Sequence, residues 1–360
     1  MEYDTKASGV TMQKEAQQKI KLVNMNVWFG MDGRGLYRIG EYEPAARRNT
    51  RFAYLASGLQ DLDPDIIALQ EANKLPGYAR RMARIMDYDA VWKVQNSGLK
   101  IIGFGIPVNF TAGNVILAKK GVDLKYLASE RLSGPGLLWN NFSFHFTEMR
   151  NAMAAMVVIC GHPLLIFNTQ VHFSLILNDD WVKAVDRMSV RGEISDRQKD
   201  KIKKNLLRSH NRTEQDIIRL IGFIRKVTQK HNFPFIVAGD FNTTLESPAL
   251  KKLVDEFRLL DPYRIKNPDL EGYTWDPAKN TNSVYDGSPF WADGISRRDP
   301  LNRLEAEFDR DTPRRIDFIF LSNHFSAEMI ETADLLFTES INDLHVSDHF
   351  GIQVVLNDLP

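Results

Sequence analysis

Phe235-Ile-Val-Ala-Gly-Asp-Phe-Asn242 holds the plan of the chain in eight residues: an apolar run of strand length that stops on a polar, ionisable turn. The same ending recurs along the sequence. Asn26 lies in Met25-Asn-Val-Trp28, and Glu71 closes Ile66-Ile-Ala-Leu-Gln-Glu71. His172 closes Ile166-Phe-Asn-Thr-Gln-Val-His172, and Asp317 lies in Arg314-Arg-Ile-Asp-Phe-Ile. Asp348 and His349 lead into the last apolar run. Removing a carboxylate from water costs several kcal/mol unless a cation or hydrogen bonds offset it. A chain that ends strand after strand this way is gathering those groups around a common ion or anion.

Between these endings, strand-length runs alternate with helix-period segments. Ile20 to Trp28 alternates like a strand with one buried face, and Pro44 to Leu62 carries Phe52, Leu55, Leu59 and Leu62 at helical spacing. Gly77 to Met86 and Thr213 to Gln229 also read as helices, with Thr213 as the N-cap of the second. Cys160-Gly-His-Pro163 is turn chemistry that makes a hairpin of its two flanking strands. Some strands are joined by turns and others by helices, which favours an α/β fold of two mixed sheets packed face to face with helices outside. Residues 1–18 read as a polar leader and 19–357 as one domain, with insertions at about 175–211 and 276–312 shaping a substrate mouth.

The 360 residues carry 46 basic and 46 acidic side chains, so the formal charge is zero and argues against a strongly basic nucleic-acid footprint, leaving room only for a local patch. The Lys199–Arg208 charge run reads as a solvated helix face, with phosphate steering as the alternative. The single cysteine, Cys160, excludes an intramolecular disulfide and is expected in the core. His145, His162, His210, His231, His324 and His345 are expected at surface or loop positions. No apolar run reaches membrane-spanning length. The N-terminus lacks a signal-peptide pattern, which gives a cytoplasmic expectation, or a secreted or periplasmic one if a leader was trimmed. Carboxylates and carboxamides are hard oxygen donors suited to Mg²⁺ or Mn²⁺, and thus to phosphate chemistry. There is no His-Glu-x-x-His, no phosphate-binding Gly-x-x-x-x-Gly-Lys loop and no Gly-x-Ser-x-Gly elbow.

The ordered set Asn26, Gln70-Glu71, His172, Gly239-Asp-Phe-Asn242, Arg315-Ile-Asp317 and Ser347-Asp-His349 resembles the endonuclease/exonuclease/phosphatase superfamily over roughly residues 20–357. That resemblance implies a deoxyribonuclease I-like four-layer sandwich, two packed mixed β-sheets flanked by helices. It also implies phosphoester hydrolysis by a water activated with a divalent metal. Carried over residue by residue, it makes Glu71 the principal metal carboxylate, with Asn26 beside it and Asp348 a further acid near the metal. Asp240 and Asn242 would orient the attacking water and hold the phosphate. His349 would act at the reacting phosphorus with Asp317 fixing its tautomer, His172 would donate a proton or hydrogen bond, and Arg150 would bind phosphate. A monomer acting on a phosphodiester is the expectation.

Among substrates, the resemblance leans to a phospholipid head group or small phosphodiester. The Gly272-Tyr-Thr-Trp-Asp276 segment is similar to the neutral sphingomyelinase branch, and Ile101 to Phe110 could touch lipid. His172-Phe-Ser-Leu departs from the usual His-Leu-x-Ala wording of the family. A nuclease using the 175–211 insertion for backbone contacts is the alternative. An inositol phosphatase ranks lower because Thr312-Pro-Arg-Arg-Ile-Asp-Phe replaces the wording of that branch, and a non-catalytic scaffold ranks last.

Overall fold

The structure, a computed structural model, describes residues 19–32, 41–97, 99–101, 104–106, 110–138, 142–144, 149–173, 179–284 and 312–360. The 1–18 leader, half of 101–110, positions 175–178 of the first insertion and 285–311 of the second lie outside them, as does His145.

Two mixed sheets form the body. The first contains β1 (Ile20–Asn26), β2 (Ile66–Asn73), β3 (Tyr88–Asn96), β4 (Ala112–Lys119), β10 (Ile330–Leu336) and β11 (Gly351–Leu356), in the order β10-β11-β1-β2-β4-β3. The second contains β5 (Asp123–Ser133), β6 (Arg150–Ile159), β7 (His162–Gln170), β8 (Phe235–Asp240) and β9 (Asp317–Leu321), in the order β9-β8-β7-β6-β5. Each sheet has one parallel pair, β1 with β2 and β7 with β8, and its remaining pairs are antiparallel.

Parallel neighbours need a crossover, and helices supply both. The first is α1 (Ala45–Leu62); the second is α3 (Asp179–Val190) followed by α4 (Asp196–Lys230). The two β-helix-β units therefore bring the carboxyl ends of four strands to one rim, the place where open α/β sheets offer a crevice.

Burial follows strand parity. Leu22, Ile66, Ile116, Ile166, Ile236 and Ile319 meet between the sheets. Their sequence neighbours Val23, Ile67 and Val115 pack outward with Leu55 and Leu59 of α1 and with Met82 of α2 (Gly77–Met86). On the other side Phe167, Val237 and Phe320 pack with Ile217, Leu220 and Ile224 of α4. The layers run helix, sheet, sheet, helix, and the strand expected to bury one face, Ile20 to Trp28, buries both.

Two local expectations are corrected. The second long helix starts at Asp196, not at Thr213. Ser195 caps it in a reciprocal box with Gln198, and Ile202 and Leu206 pack on Trp181 and Val185 of α3, so the charged stretch has apolar support and the described part of that insertion, 179–211, is largely helical. Thr213 sits mid-helix and donates its hydroxyl to the His172 carbonyl at 2.7 Å. Cys160 is exposed, because Cys160 and Gly161 both take positive φ (53° and 84°) in the two-residue turn of the β6–β7 hairpin. His345 keeps the loop position expected of it, and burial there lowers its pKa.

Toward the rim the intersheet space turns from apolar to amide. The Gln70 amide nitrogen donates to the side-chain oxygens of Asn24 and Asn168, both at 2.8 Å. Asn168 in turn donates to the carbonyls of Leu69 (3.0 Å) and Val115 (2.8 Å), and Asn24 to that of Gly239 (3.3 Å). This layer ties β1, β2, β4, β7 and β8 together across both sheets. Gln70→Leu strands two buried acceptors, at about 1–3 kcal/mol each. We therefore expect a loss of about 2–6 kcal/mol, read as a lower urea midpoint with an unchanged m-value.

Candidate active site

Above the amides lies a layer of acids. Asp240 ends β8 and stands opposite Asp317, the first residue of β9. Both are buried, and the Asp317 Oδ2 is 2.8 Å from His349 Nδ1. One ligand atom from each of Asp240, Asp317 and His349 lies within 4.8 Å of the others. Asn26 Nδ2 donates to Asp240 Oδ2 at 3.0 Å and lies 3.5 Å from His349 Nε2.

Glu71 reaches this group through Gln170, whose amide nitrogen donates to Glu71 Oε1 (2.6 Å) and to Asp240 Oδ2 (3.2 Å). Strict alternation would aim Gln70 and Glu71 at opposite faces of β2. A bulge against β4 between Leu69 and Ala72 prevents this, and Glu71 takes a left-handed φ of 59°. Both side chains therefore face the second sheet. Asn242 is also left-handed (φ 48°): its backbone N–H caps Asp240 Oδ1 at 2.9 Å, and its side chain reaches the Val171 carbonyl at 3.1 Å. Strained backbone at strand ends is a usual companion of a functional rim.

The Asp317–His349 pair is held from outside by the 272–276 segment. Thr274 Oγ1 accepts the N–H groups of Ile316 and Asp317, both at 3.1 Å, and the Trp275 ring meets the His349 ring edge-on at 5.1 Å. Ser347 Oγ lies 2.7 Å from the Asn26 carbonyl, fastening the β11 lead-in to the end of β1.

Not every sequence candidate joins the cluster directly. Asn26 turns its side-chain oxygen to the Trp28 N–H (3.0 Å) and offers the acids its NH₂. Asp348 is buried with one oxygen 3.0 Å from Ser347 Oγ, outside the group of facing ligand atoms. Arg150 opens β6 and donates to Gln170 Oε1 at 2.7 Å, so it is linked to Glu71 through that amide. His172 is held by its backbone: its N–H donates to Asp216 Oδ2 of α4 at 3.0 Å, and its carbonyl accepts from Thr213.

The chain as a whole has known relatives in sequence pattern and in shape. A family model described as Endonuclease/Exonuclease/phosphatase family matches residues 23–349. The chain belongs to this family. Its enzymes are hydrolytic phosphoesterases that depend on a divalent metal, and the double sandwich is the deoxyribonuclease I-like fold. No curated protein gives a significant match. Among solved structures, truncated TDP2 of Caenorhabditis elegans is similar at 14% identity and a TM-score of 0.53, over 94% of this chain and 97% of that one. The mannosyl-6-phosphatase Bt3783 of Bacteroides thetaiotaomicron gives 16% identity and 0.53, over 93% and 98%. The human Nocturnin catalytic domain with bound sulfate gives 13% and 0.51, over 94% and 93%. These likenesses share the fold.

Charge crowding follows from the geometry. Burial, reinforced by Asp317 and Glu71, pushes Asp240 up to about 6, and burial with Glu71 nearby pushes Asp348 up to about 7. Burial alone would lower His349, but Asp317 and the other acids hold it well above the ordinary histidine value. Asp317 Oδ1 is buried without a hydrogen-bond partner among the described residues. A family metal fits here: hard oxygen donors, crowded negative charge and an unmet acceptor call for a divalent cation. Asp317 Oδ1, Asp240 and, through the shared Gln170 amide, Glu71 are the acid oxygens gathered at this place.

Sequence reading missed Gln170, Thr274, Ser347 and Arg51. Gln170 stood two residues before a singled-out histidine on an apolar strand, a polar anomaly of the same kind as Asp317. Arg51 lies inside the helix α1, yet donates to the carbonyls of Val346 (2.7 Å) and Val27 (3.3 Å) and pairs with buried Glu43, joining the ends of β1 and the β11 lead-in. Nothing in helical periodicity marks it. Thr274→Val keeps the shape of the side chain and removes the acceptor for two buried N–H groups. We expect kcat to fall about tenfold or more with KM little changed, since a loosened Asp317 costs about 1.4 kcal/mol of transition-state stabilisation or more.

Proposed function

We propose that this family member hydrolyses a phosphodiester at the rim built by Asn26, Glu71, Asp240, Asn242, Asp317 and His349. The observation that carries the reading is the buried Asp317–His349 ion pair at 2.8 Å, aimed into the same space as Asp240 and Asn26. In-line displacement at phosphorus needs an oriented nucleophile and neutralised non-bridging oxygens. Asp240, with one oxygen fixed by Asn242, is placed to accept the proton of an attacking water and set its direction. Asp317 accepts the Nδ1–H hydrogen bond of His349, and in the imidazolium form the Nε2–H is then free to donate to a phosphoryl oxygen as charge builds on it. Asn26 and Asn242 supply neutral donors beside it. Arg150 and His172 flank the β7 end, where a substrate phosphate would enter. Mg²⁺ or Mn²⁺, held by Glu71 and Asp240, would add neutralisation of the phosphoryl group.

The lean toward a phospholipid head group rested on two segments. Thr274 and Trp275 of the first are occupied in holding the Asp317–His349 pair, so that segment serves any phosphoester substrate equally. Of the second, 101–110, Phe110 alone has a described side chain. The phosphodiester linkage itself is what the site geometry supports.

Glu71→Gln and His349→Ala should each lower Mg²⁺- or Mn²⁺-dependent hydrolysis of bis-p-nitrophenyl phosphate by about 10³-fold or more, with native circular dichroism, given what single electrostatic and acid–base groups contribute. EDTA should abolish turnover of the wild type. Wild-type rates in both variants would sink the assignment. A parallel panel of plasmid DNA, single-stranded RNA and sphingomyelin vesicles, each with metal and with EDTA, ranks the substrates.

A further inference from the structure

Away from the acids, the outer surface of α4 and the end of β5 enclose a cavity of about 520 Å³ lined by Ser133, Lys204, Arg208, Arg212, Asp216 and Arg219, among others. We propose that this groove binds the backbone of a single-stranded nucleic acid whose scissile linkage lies at the rim, a proposal that rests on the phosphodiesterase reading and names its substrate class.

Charge is the first argument. The protein is neutral overall, yet four cations converge on one groove whose only lining acid is the buried Asp216. Lys204, Arg208 and Arg212 recur every four residues, about 6 Å apart along the helix axis, and with Arg219 the file extends about 22 Å. A linear file of cations matches a linear file of phosphates. Elsewhere on the helix Lys199 pairs with Asp196 at 2.7 Å and Lys203 with Asp186 at 2.6 Å, whereas Arg197, Lys201, Lys226 and Lys230 line no such groove. Lys204, Arg208 and Arg212 are exposed and have no ion pair among the described residues.

Connection to the site is the second argument. Asp216 lines the groove, accepts the Ser133 hydroxyl at 2.9 Å, and holds the His172 N–H at the end of β7. Arg150 acts on Asp216 electrostatically and donates to Gln170, which donates to Glu71. The groove is thus tied through Asp216 to the end of β7, the strand that also carries Gln170. Shape and lining separate a strand from a membrane: the surface is concave, and Leu207 is its one large exposed apolar side chain. With no aromatic ring lining it to stack on bases, the groove would read phosphates and ignore sequence.

The test uses the intact protein and a triple variant, Lys204→Gln, Arg208→Gln and Arg212→Gln, in EDTA, with a fluorescein-labelled dT20 followed by anisotropy. We expect the triple variant to bind at least tenfold more weakly at 0.1 M salt. The slope of log K against log salt should fall by about 2, since each phosphate contact on a single strand contributes about 0.7. Hydrolysis of bis-p-nitrophenyl phosphate by the triple variant should stay at the wild-type level, while kcat/KM on dT20 drops. Equal dT20 affinity and equal salt slope in the two proteins would overturn the groove. Tighter wild-type binding to a 20-base-pair duplex than to dT20 would overturn the single-strand assignment. Loss of binding to phosphatidylglycerol vesicles in the triple variant, with dT20 binding intact, would overturn it in favour of a membrane. Absence of bis-p-nitrophenyl phosphate turnover in the wild type would instead refute the catalytic reading, leaving the binding result to stand separately.

Discussion

Everything at the rim depends on the amide layer that Gln70, Asn24 and Asn168 build between the sheets. Two sheets in apolar contact can slide, since dispersion and burial have little direction. Amide hydrogen bonds across the interface have a fixed length and angle, and a slip of even one residue would break several in a buried setting where each orphan is costly. The layer therefore sets the register of one β-helix-β unit against the other. Asn26 meets Asp240, and Gln170 meets Glu71, because the residues two positions below them are already locked.

Above that lock, the protein tolerates a concentration of negative charge that would otherwise resist folding. Glu71, Asp240, Asp317 and Asp348 are all buried at one end of the sandwich. His349 is the one imidazole among them, and the neutral donors of Asn26, Asn242 and Gln170 spread the remaining load. The upward shifts of Asp240 and Asp348 come first from burial and then from the neighbouring acids. A divalent cation would relieve both.

Much of this was readable because strands buried on both faces have no reason to end in acids. Asp317 in Arg315-Ile-Asp-Phe-Ile and Asp240 in Ala-Gly-Asp-Phe stood out on that ground alone, and the mixture of turns and helices between strands gave the sheet-on-sheet architecture. Hidden were contacts made by ordinary-looking residues: Arg51 on a helix, Thr274 in a loop, Gln170 at the last position of a strand. Their roles come from distance in space across more than forty residues of sequence, which no local period encodes. The start of α4 was misplaced for a different reason. Its first turns are supported by α3, a tertiary partner, and the polar threonine that resembled a cap serves the neighbouring strand instead. Cys160 went astray because an apolar run was extended one residue into a hairpin turn.

The extra residue in β2 has an evolutionary reading. Were one position lost between Leu69 and Ala72, alternation would resume, the carboxylate would swing toward the α1–α2 side, and both sheets could still close around their greasy interior. Such a descendant would keep its histidine and its aspartates and, on the proposed reading, lack the carboxylate that holds the metal. Within a lineage of this architecture, the length of that strand is thus a more telling sign of a working enzyme than its overall likeness to one.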